Sequence, residues 1–419
     1  MHHFNYRNNR LYCEDVPLDA LAKTAGTPCY VYSKATLTRH YRAFESAFAG
    51  VPHMVCFSAK ANTSKAILNL LGSLGSGLDI VSGGELFRGL SAGIPASKIV
   101  YSGVGKTVGE MDMALCTGIL MFNVESFDEL HLLNERAMIL GKRAPIALRV
   151  NPDVDPKTHP YISTGLKKNK FGVNKEKAIA AYLAAKDLPG IEIVGIDFHI
   201  GSQITEVSPF VEAVDSVSAL VRELAGHGIN IRYLDVGGGL GITYAEETPP
   251  LPDDYAEAVK NALADLPVTV ILEPGRAIVG NAGILLTRVL YLKTGGTKEF
   301  VIVDSGMNDL LRPSIYGAYH AVWPVEVREG KTITADVVGP ICESGDFLAK
   351  DREMKDVKTG DLLAVMSAGA YGFSMSSNYN SRPKACEVMV SGEKFAVVRE
   401  RERYEDLTRG ESTFPEQDK

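Results

Sequence analysis

Val55-Cys56-Phe57-Ser58-Ala59-Lys60-Ala61-Asn62 reads as an apolar strand that ends on a lysine, with a helix opening near Thr63. A lysine at the end of a buried strand is desolvated, which disfavours the ammonium form and frees the amine as a nucleophile. Such an amine can form a Schiff base. The same side chain could instead lay its aliphatic stem along the rim and keep its charge in water. The stretch alone leaves both readings open, and its neighbours must decide.

Working outward, apolar runs bounded by turn residues recur at 54–60, 77–81, 98–102, 120–124, 146–150, 193–199, 231–236 and 268–272, with helix-period segments such as 64–74, 126–140, 175–186 and 209–225 between them. Strands alternating with helices require right-handed parallel crossovers. Eight such units over roughly 230 residues predict a closed (β/α)8, TIM-like barrel spanning 34–280, with an open doubly wound sheet as the alternative. Beyond about residue 280 the rhythm changes. Strand-like runs at 284–292, 299–304, 332–338, 361–366, 384–390 and 395–399 follow one another across glycine turns, predicting a second, mostly antiparallel β-sandwich or barrel domain. Residues 1–33, including a strand near 29–32, are assigned with 281–419 to that domain.

A chain of 419 residues with 45% apolar and 23% charged side chains is a globular protein too long for one ordinary core. Its net charge of -7 and lack of a basic block exclude an electrostatic attraction to nucleic acid or anionic membranes, so the expected partner is a small molecule. The six cysteines show no CxxC spacing, hence no expected metal site or disulfide framework. The polar N-terminus carries no signal-peptide pattern and no run is long enough to span a membrane, so a cytoplasmic location is expected.

In such a barrel the chemistry gathers at the C-terminal strand ends. Those ends are Lys60, Asp79, Ser102, Asn123, Arg149, His199, the run Gly237-Gly238-Gly239 and Glu273. Asp79 and Arg149 could pair with each other or with other rim residues. His199 could be a core histidine or a flat ring lying against an aromatic cofactor. The glycine run puts bare N–H groups where a phosphate could sit, although a tight turn would need the same residues. Glu273 could keep a pyridine nitrogen protonated. Ser102-Gly103-Val104-Gly105-Lys106-Thr107 ends like a P-loop but has Val100 where that motif needs glycine, so nucleotide hydrolysis is set aside. A nucleophilic lysine, a phosphate nest, a flat histidine and a carboxylate are the parts of a pyridoxal 5'-phosphate site.

At this point the chain resembles the diaminopimelate decarboxylases, of the alanine racemase-like, fold-type III pyridoxal phosphate-dependent family. The resemblance rests on Phe57-Ser58-Ala59-Lys60-Ala61-Asn62, Gly77-Leu78-Asp79, Ser82-Gly83-Gly84-Glu85, His199-Ile200-Gly201-Ser202-Gln203, Gly237-Gly238-Gly239-Leu240-Gly241, Glu273-Pro274-Gly275-Arg276, Cys342-Glu343-Ser344-Gly345-Asp346 and Gly369-Ala370-Tyr371-Gly372. It implies that Lys60 carries the cofactor near Asp79, that His199 stacks on the ring and that Glu273 meets its nitrogen. Ser202, Gly238, Gly239, Gly275, Arg276 and Tyr371 would hold the phosphate.

On the substrate side the resemblance implies that Arg276, Arg312 and Tyr316 grip the distal carboxylate, with Tyr371 nearby, and that Glu343 meets the distal ammonium. Cys342 would return a proton to carbon. Cys342 and Glu343 would come from a second subunit, so a homodimer with sites at its interface is expected. Two arginines and one glutamate suit a distal end that bears both a carboxylate and an ammonium, whereas an ornithine-like substrate would leave the arginines' charge uncompensated. The expected reaction is decarboxylation of meso-2,6-diaminopimelate to L-lysine, the last step of lysine biosynthesis. A decarboxylase of ornithine, arginine or a carboxylated polyamine is the near alternative, and a non-catalytic pyridoxal phosphate-binding regulator the distant one. The segment 159–171 is expected to be a mobile cover.

Overall fold

The computed structural model describes residues 2–155, 170–263, 266–296 and 298–414. Most of segment 159–171, the expected cover, lies outside them. The chain divides into two compact units, 35–281 and 1–34 with 282–419.

In the first unit eight parallel strands close a barrel among the described residues: His53–Ser58, Gly77–Ile80, Ile99–Tyr101, Met121–Val124, Ala144–Asn151, Ile191–Asp197, Tyr233–Asp235 and Thr269–Leu272. Each pairs with the next in sequence, and Thr269–Leu272 returns to His53–Ser58 through Val270↔His53, Ile271↔Met54 and Leu272↔Val55. An additional two-residue strand, Val173–Asn174, runs parallel to the end of Ala144–Asn151.

The strand period of two explains how this barrel is both core and site. Cys56, Val100, Met121, Ala147, Val194 and Ile271 form one buried apolar cluster, closing the lower barrel to water. Two residues further along the same strands stand Ser58, Ser102, Asn123, Arg149 and Glu273, all buried. Asp79 and Asp235 follow Gly77 and Tyr233 in the same way. On the sixth strand a register irregularity between Ile193 and Gly195 brings Asp197 into the polar tier. Apolar below and ionisable above is therefore written into alternate positions of each strand.

Surrounding helices begin at residue types suited to satisfying the first free N–H groups. Ser82 Oγ accepts from Glu85 N–H, and Ser126 Oγ from Glu129 N–H. Thr107 forms a full capping box with Glu110 at the start of Val108–Thr117. Thr107 is thus a helix cap, and Lys106 is a buried ion-pair partner of Glu129 at 2.7 Å that also donates to the carbonyls of Gly103 and Asn123. This local structure accounts for the P-loop-like string.

One local expectation needs correction. The first strand stops at Ser58, and Ala59–Ala61 form a single 3-10 turn, so Lys60 lies beyond the strand rather than at its end. Its side chain is 35% exposed and ion-paired, not fully desolvated.

The second unit is built on a mostly antiparallel sheet in the spatial order Phe347–Lys355, Thr332–Val338, Lys298–Val303, Gly283–Gly295, Cys29–Ser33, Cys386–Ser391, Lys394–Arg399. Two of its pairings are parallel, including Cys29–Ser33 with Cys386–Ser391. Its core gathers Phe4, Leu11, Leu18, Leu21, Val31, Ile284, Leu286, Val388 and neighbouring apolar side chains. No helix among the described residues is long and apolar enough to cross a membrane.

Candidate active site

At the barrel mouth Lys60 Nζ lies 2.8 Å from Asp79 Oδ2, and Ser58 Oγ, with one hydrogen to donate, lies 2.7 Å from the same oxygen and 3.0 Å from the Glu273 carbonyl oxygen. Asp79 is fully buried. The alternative partner of Asp79 is thereby excluded, because Arg149 pairs with Glu125 at 2.8 Å and reaches Asp197 only at 3.9 Å.

Glu273, Asp235, Asp197 and Asp79 place four carboxylates in the polar tier. Burial, followed by the charges of Asp235, Asp79 and Asp197, pushes the Glu273 carboxyl well above the usual range, with Lys60 opposing. Burial and Asp235 do the same to Asp197, and burial lifts Asp235 to about 6. Asp235 is tied down by Gly237 N–H at 3.0 Å and by Asn123 Nδ2 at 3.1 Å, while Asn123 Nδ2 also reaches Ser102 Oγ at 3.0 Å. This tier has a high affinity for a proton or a cationic ring.

His199, two residues past its strand, accepts from Gly238 N–H through Nδ1 at 3.3 Å. An accepting Nδ1 is unprotonated, and burial with the nearby positive Arg149 and Lys60 holds the imidazole well below its ordinary range. The ring is neutral. A Cβ on Gly238 would meet the Glu273 carbonyl oxygen at 2.2 Å, and one on Gly239, at φ +116, would meet the Gly201 carbonyl oxygen at 2.7 Å. Only glycine fits that loop. A Cβ on Gly275 would come within 3.0 Å of Ala61 and Ser58. Buried Arg276 donates through Nη1 to Tyr244 Oη at 2.6 Å and through Nη2 to Ser202 Oγ at 3.2 Å.

These groups fit pyridoxal phosphate. Hydroxyl, guanidinium and close-approach glycine backbone are the donors a phosphate dianion needs. The excess of buried carboxylate suits a cationic pyridine ring, and a primary amine stands beside them.

In the second unit, buried Arg312 opens the short helix Arg312–Tyr316, with Nη1 2.9 Å from His320 Nε2. Cys342 and Glu343 are exposed, and Cys342 N–H donates to Asn380 Oδ1 at 2.8 Å. Tyr371 adopts φ +55. The strand-end reading missed Ser58, Asp197, Asp235, Tyr244 and His320. The first three were signalled by lying two residues beyond an inward-facing position, whereas nothing local marks Tyr244 or His320.

A lysine-bearing barrel with a glycine phosphate cradle defines a class of pyridoxal enzyme, and the comparisons agree. The family "Pyridoxal-dependent decarboxylase, pyridoxal binding domain" matches residues 34–280. The diaminopimelate decarboxylase of Aquifex aeolicus is 54% identical over 404 residues, 96% of this chain and 96% of that protein. That of Vibrio cholerae is 52% identical over 99% of this chain and all of its own length. Among solved structures, diaminopimelate decarboxylase from Helicobacter pylori complexed with L-lysine superposes with a TM-score of 0.91 at 46% identity, covering 94% of this chain and 98% of that one. The enzyme from M. jannaschii in co-complex with L-lysine gives 0.94 at 39% identity, covering 99% of each chain. The chain belongs to the diaminopimelate decarboxylase family of pyridoxal-dependent decarboxylases.

Proposed function

We infer that this chain is a carboxy-lyase that uses pyridoxal 5'-phosphate to decarboxylate meso-2,6-diaminopimelate to L-lysine and carbon dioxide, the closing step of lysine biosynthesis. The observation that carries this reading is the near-full-length identity of about one residue in two to diaminopimelate decarboxylases. The Lys60–Asp79 pair supports it.

Bound pyridoxal phosphate supplies an electron sink for the pair left behind when the carboxylate departs. Lys60 is assigned as the amine that tethers the cofactor and releases product, and Asp79 as the carboxylate that receives and returns the lysine proton. Glu273 holds a proton at the ring nitrogen, where its high proton affinity is an asset. Neutral His199 offers a flat, uncharged face to the ring. Ser202, Gly238, Gly239, Gly275, Arg276 and Tyr371 are assigned to the phosphate. Arg276, Arg312, Tyr316 and Tyr371 are assigned to the distal end of the substrate, Glu343 to its ammonium and Cys342 to protonation at carbon.

We place Cys342 and Glu343 in a site shared between two subunits of a cytoplasmic homodimer. Their exposure in the single chain and the free state of all six cysteines support that placement. The chain's charge, -7 without a basic block, supports a small-molecule partner over nucleic acid or membrane.

Carbon dioxide release from a panel of diaminopimelate, lysine, ornithine and arginine tests the reaction. Release from diaminopimelate alone is expected, and preference for another member overturns the substrate. Mixing inactive Lys60→Ala and Cys342→Ala proteins tests the shared site. Roughly a quarter of full activity should return, the share of native sites in a random two-fold mixture. No recovery under conditions that exchange subunits would place Cys342 in its own chain's site.

A further inference from the structure

His320 is fully buried and touches Arg312 from the side opposite its own backbone anchor. Arg312 Nη1 lies 2.9 Å from His320 Nε2, and His320 Nδ1 lies 2.8 Å from the Met366 carbonyl oxygen. A guanidinium only donates and a carbonyl only accepts. The ring must therefore carry its hydrogen on Nδ1 and its lone pair on Nε2, which makes it neutral. Met366 follows the strand Leu362–Val365, and its own N–H donates back to the Ala321 carbonyl at 2.8 Å, so the segment bearing the imidazole is anchored to the sheet edge.

The choice of a neutral acceptor has a chemical consequence. A carboxylate in place of His320 would hold Arg312 equally well but would cancel its charge and compete with an incoming carboxylate. An imidazole lone pair fixes the plane of the guanidinium without itself cancelling the positive charge. We propose that His320 is a positioning residue for substrate selectivity, orienting Arg312 toward the distal carboxylate of the substrate and of the product. This inference rests on the reading of Arg312 given above.

L-lysine and cadaverine, which is lysine without its carboxylate, separate the two ideas when each is titrated into the cofactor-loaded enzyme. The variants are Arg312→Ala, His320→Asn and His320→Gln. Asparagine can keep the donor to Met366 but is too short to reach Arg312, whereas glutamine places an amide oxygen near the position of Nε2. We expect His320→Asn to weaken L-lysine about tenfold, the loss of one hydrogen bond to a charged group. Cadaverine should bind unchanged, and His320→Gln should recover most of the lysine affinity. With diaminopimelate, KM should rise more than kcat falls. If Arg312→Ala weakens L-lysine and His320→Asn does not, the role of His320 is overturned and that of Arg312 stands. Equal weakening of both ligands, or no recovery in His320→Gln, reduces His320 to packing and also overturns the proposal. If Arg312→Ala spares L-lysine, the reading of Arg312 falls and the inference falls with it.

Discussion

Asp79 shows how one buried oxygen can organise an amine at a barrel mouth. Its Oδ2 accepts from Ser58 Oγ at 2.7 Å and Lys60 Nζ at 2.8 Å, so two side chains from one strand end are aimed by a carboxylate on the next. In Asp79→Asn the charge is gone, so the one oxygen that both donors share becomes a weaker, neutral acceptor. The cofactor-free protein should lose roughly 1–3 kcal/mol, the cost of weakening buried hydrogen bonds to charged groups. The midpoint of urea unfolding measures it, and an unchanged midpoint would show that the pair contributes nothing to the fold. Lys60→Ala removes the amine itself. Protein treated with pyridoxal phosphate should then lack the visible Schiff-base band of the wild type, and a retained band would require another lysine to take the role.

Among elements, the turn from Ile99–Tyr101 into Val108–Thr117 shows what a short motif means only in context. Gly105-Lys106-Thr107 resembles the end of a phosphate-binding loop, yet its lysine is consumed by Glu129 and two carbonyls, and its threonine caps the following helix. Thr107→Ala should cost about 1 kcal/mol of stability without changing kcat. Equilibrium unfolding and steady-state kinetics on the same preparation check both halves. Thr107-Val108-Gly109-Glu110 has the spacing of a capping box and opens that helix. The glycine loop after Tyr233–Asp235 was equally readable, since consecutive glycines at a strand end mark backbone approach.

Across the whole molecule, carboxylates raised by burial couple stability to pH. Asp235 rises from an unfolded value near 3.8 to about 6, and Glu85, by burial, from near 4.5 to about 7. Between those values the folded chain retains protons that the unfolded chain has released, so stability is full below about pH 4 with respect to these groups and falls as pH rises toward 7. The Asp235 contribution is at most ~3 kcal/mol. Buried neutral His199 acts in the opposite sense, so the test is differential: the urea midpoint of the cofactor-free protein minus that of Asp235→Asn should decline between about pH 4 and 6. A difference that climbs over the same interval would contradict the burial of Asp235 as a charged-state penalty.

The residues themselves determined the barrel, because an apolar run of strand length, a turn and an amphipathic helix repeated eight times leave few ways to bury their faces. They also placed Lys60, His199, Gly238, Gly239 and Glu273 next to strand ends, which follows from local order along the chain. Tertiary structure alone decided which charges meet. Asp79 takes Lys60 and leaves Arg149 to Glu125, Asp197 and Asp235 join Glu273 across the barrel, Arg276 finds Tyr244, and Arg312 finds His320. The physical reason is that periodicity records which way a side chain faces, whereas an ion pair depends on distance between strands and loops that closure brings together. Burial then converts that distance into proton affinity, which no reading along the chain can supply.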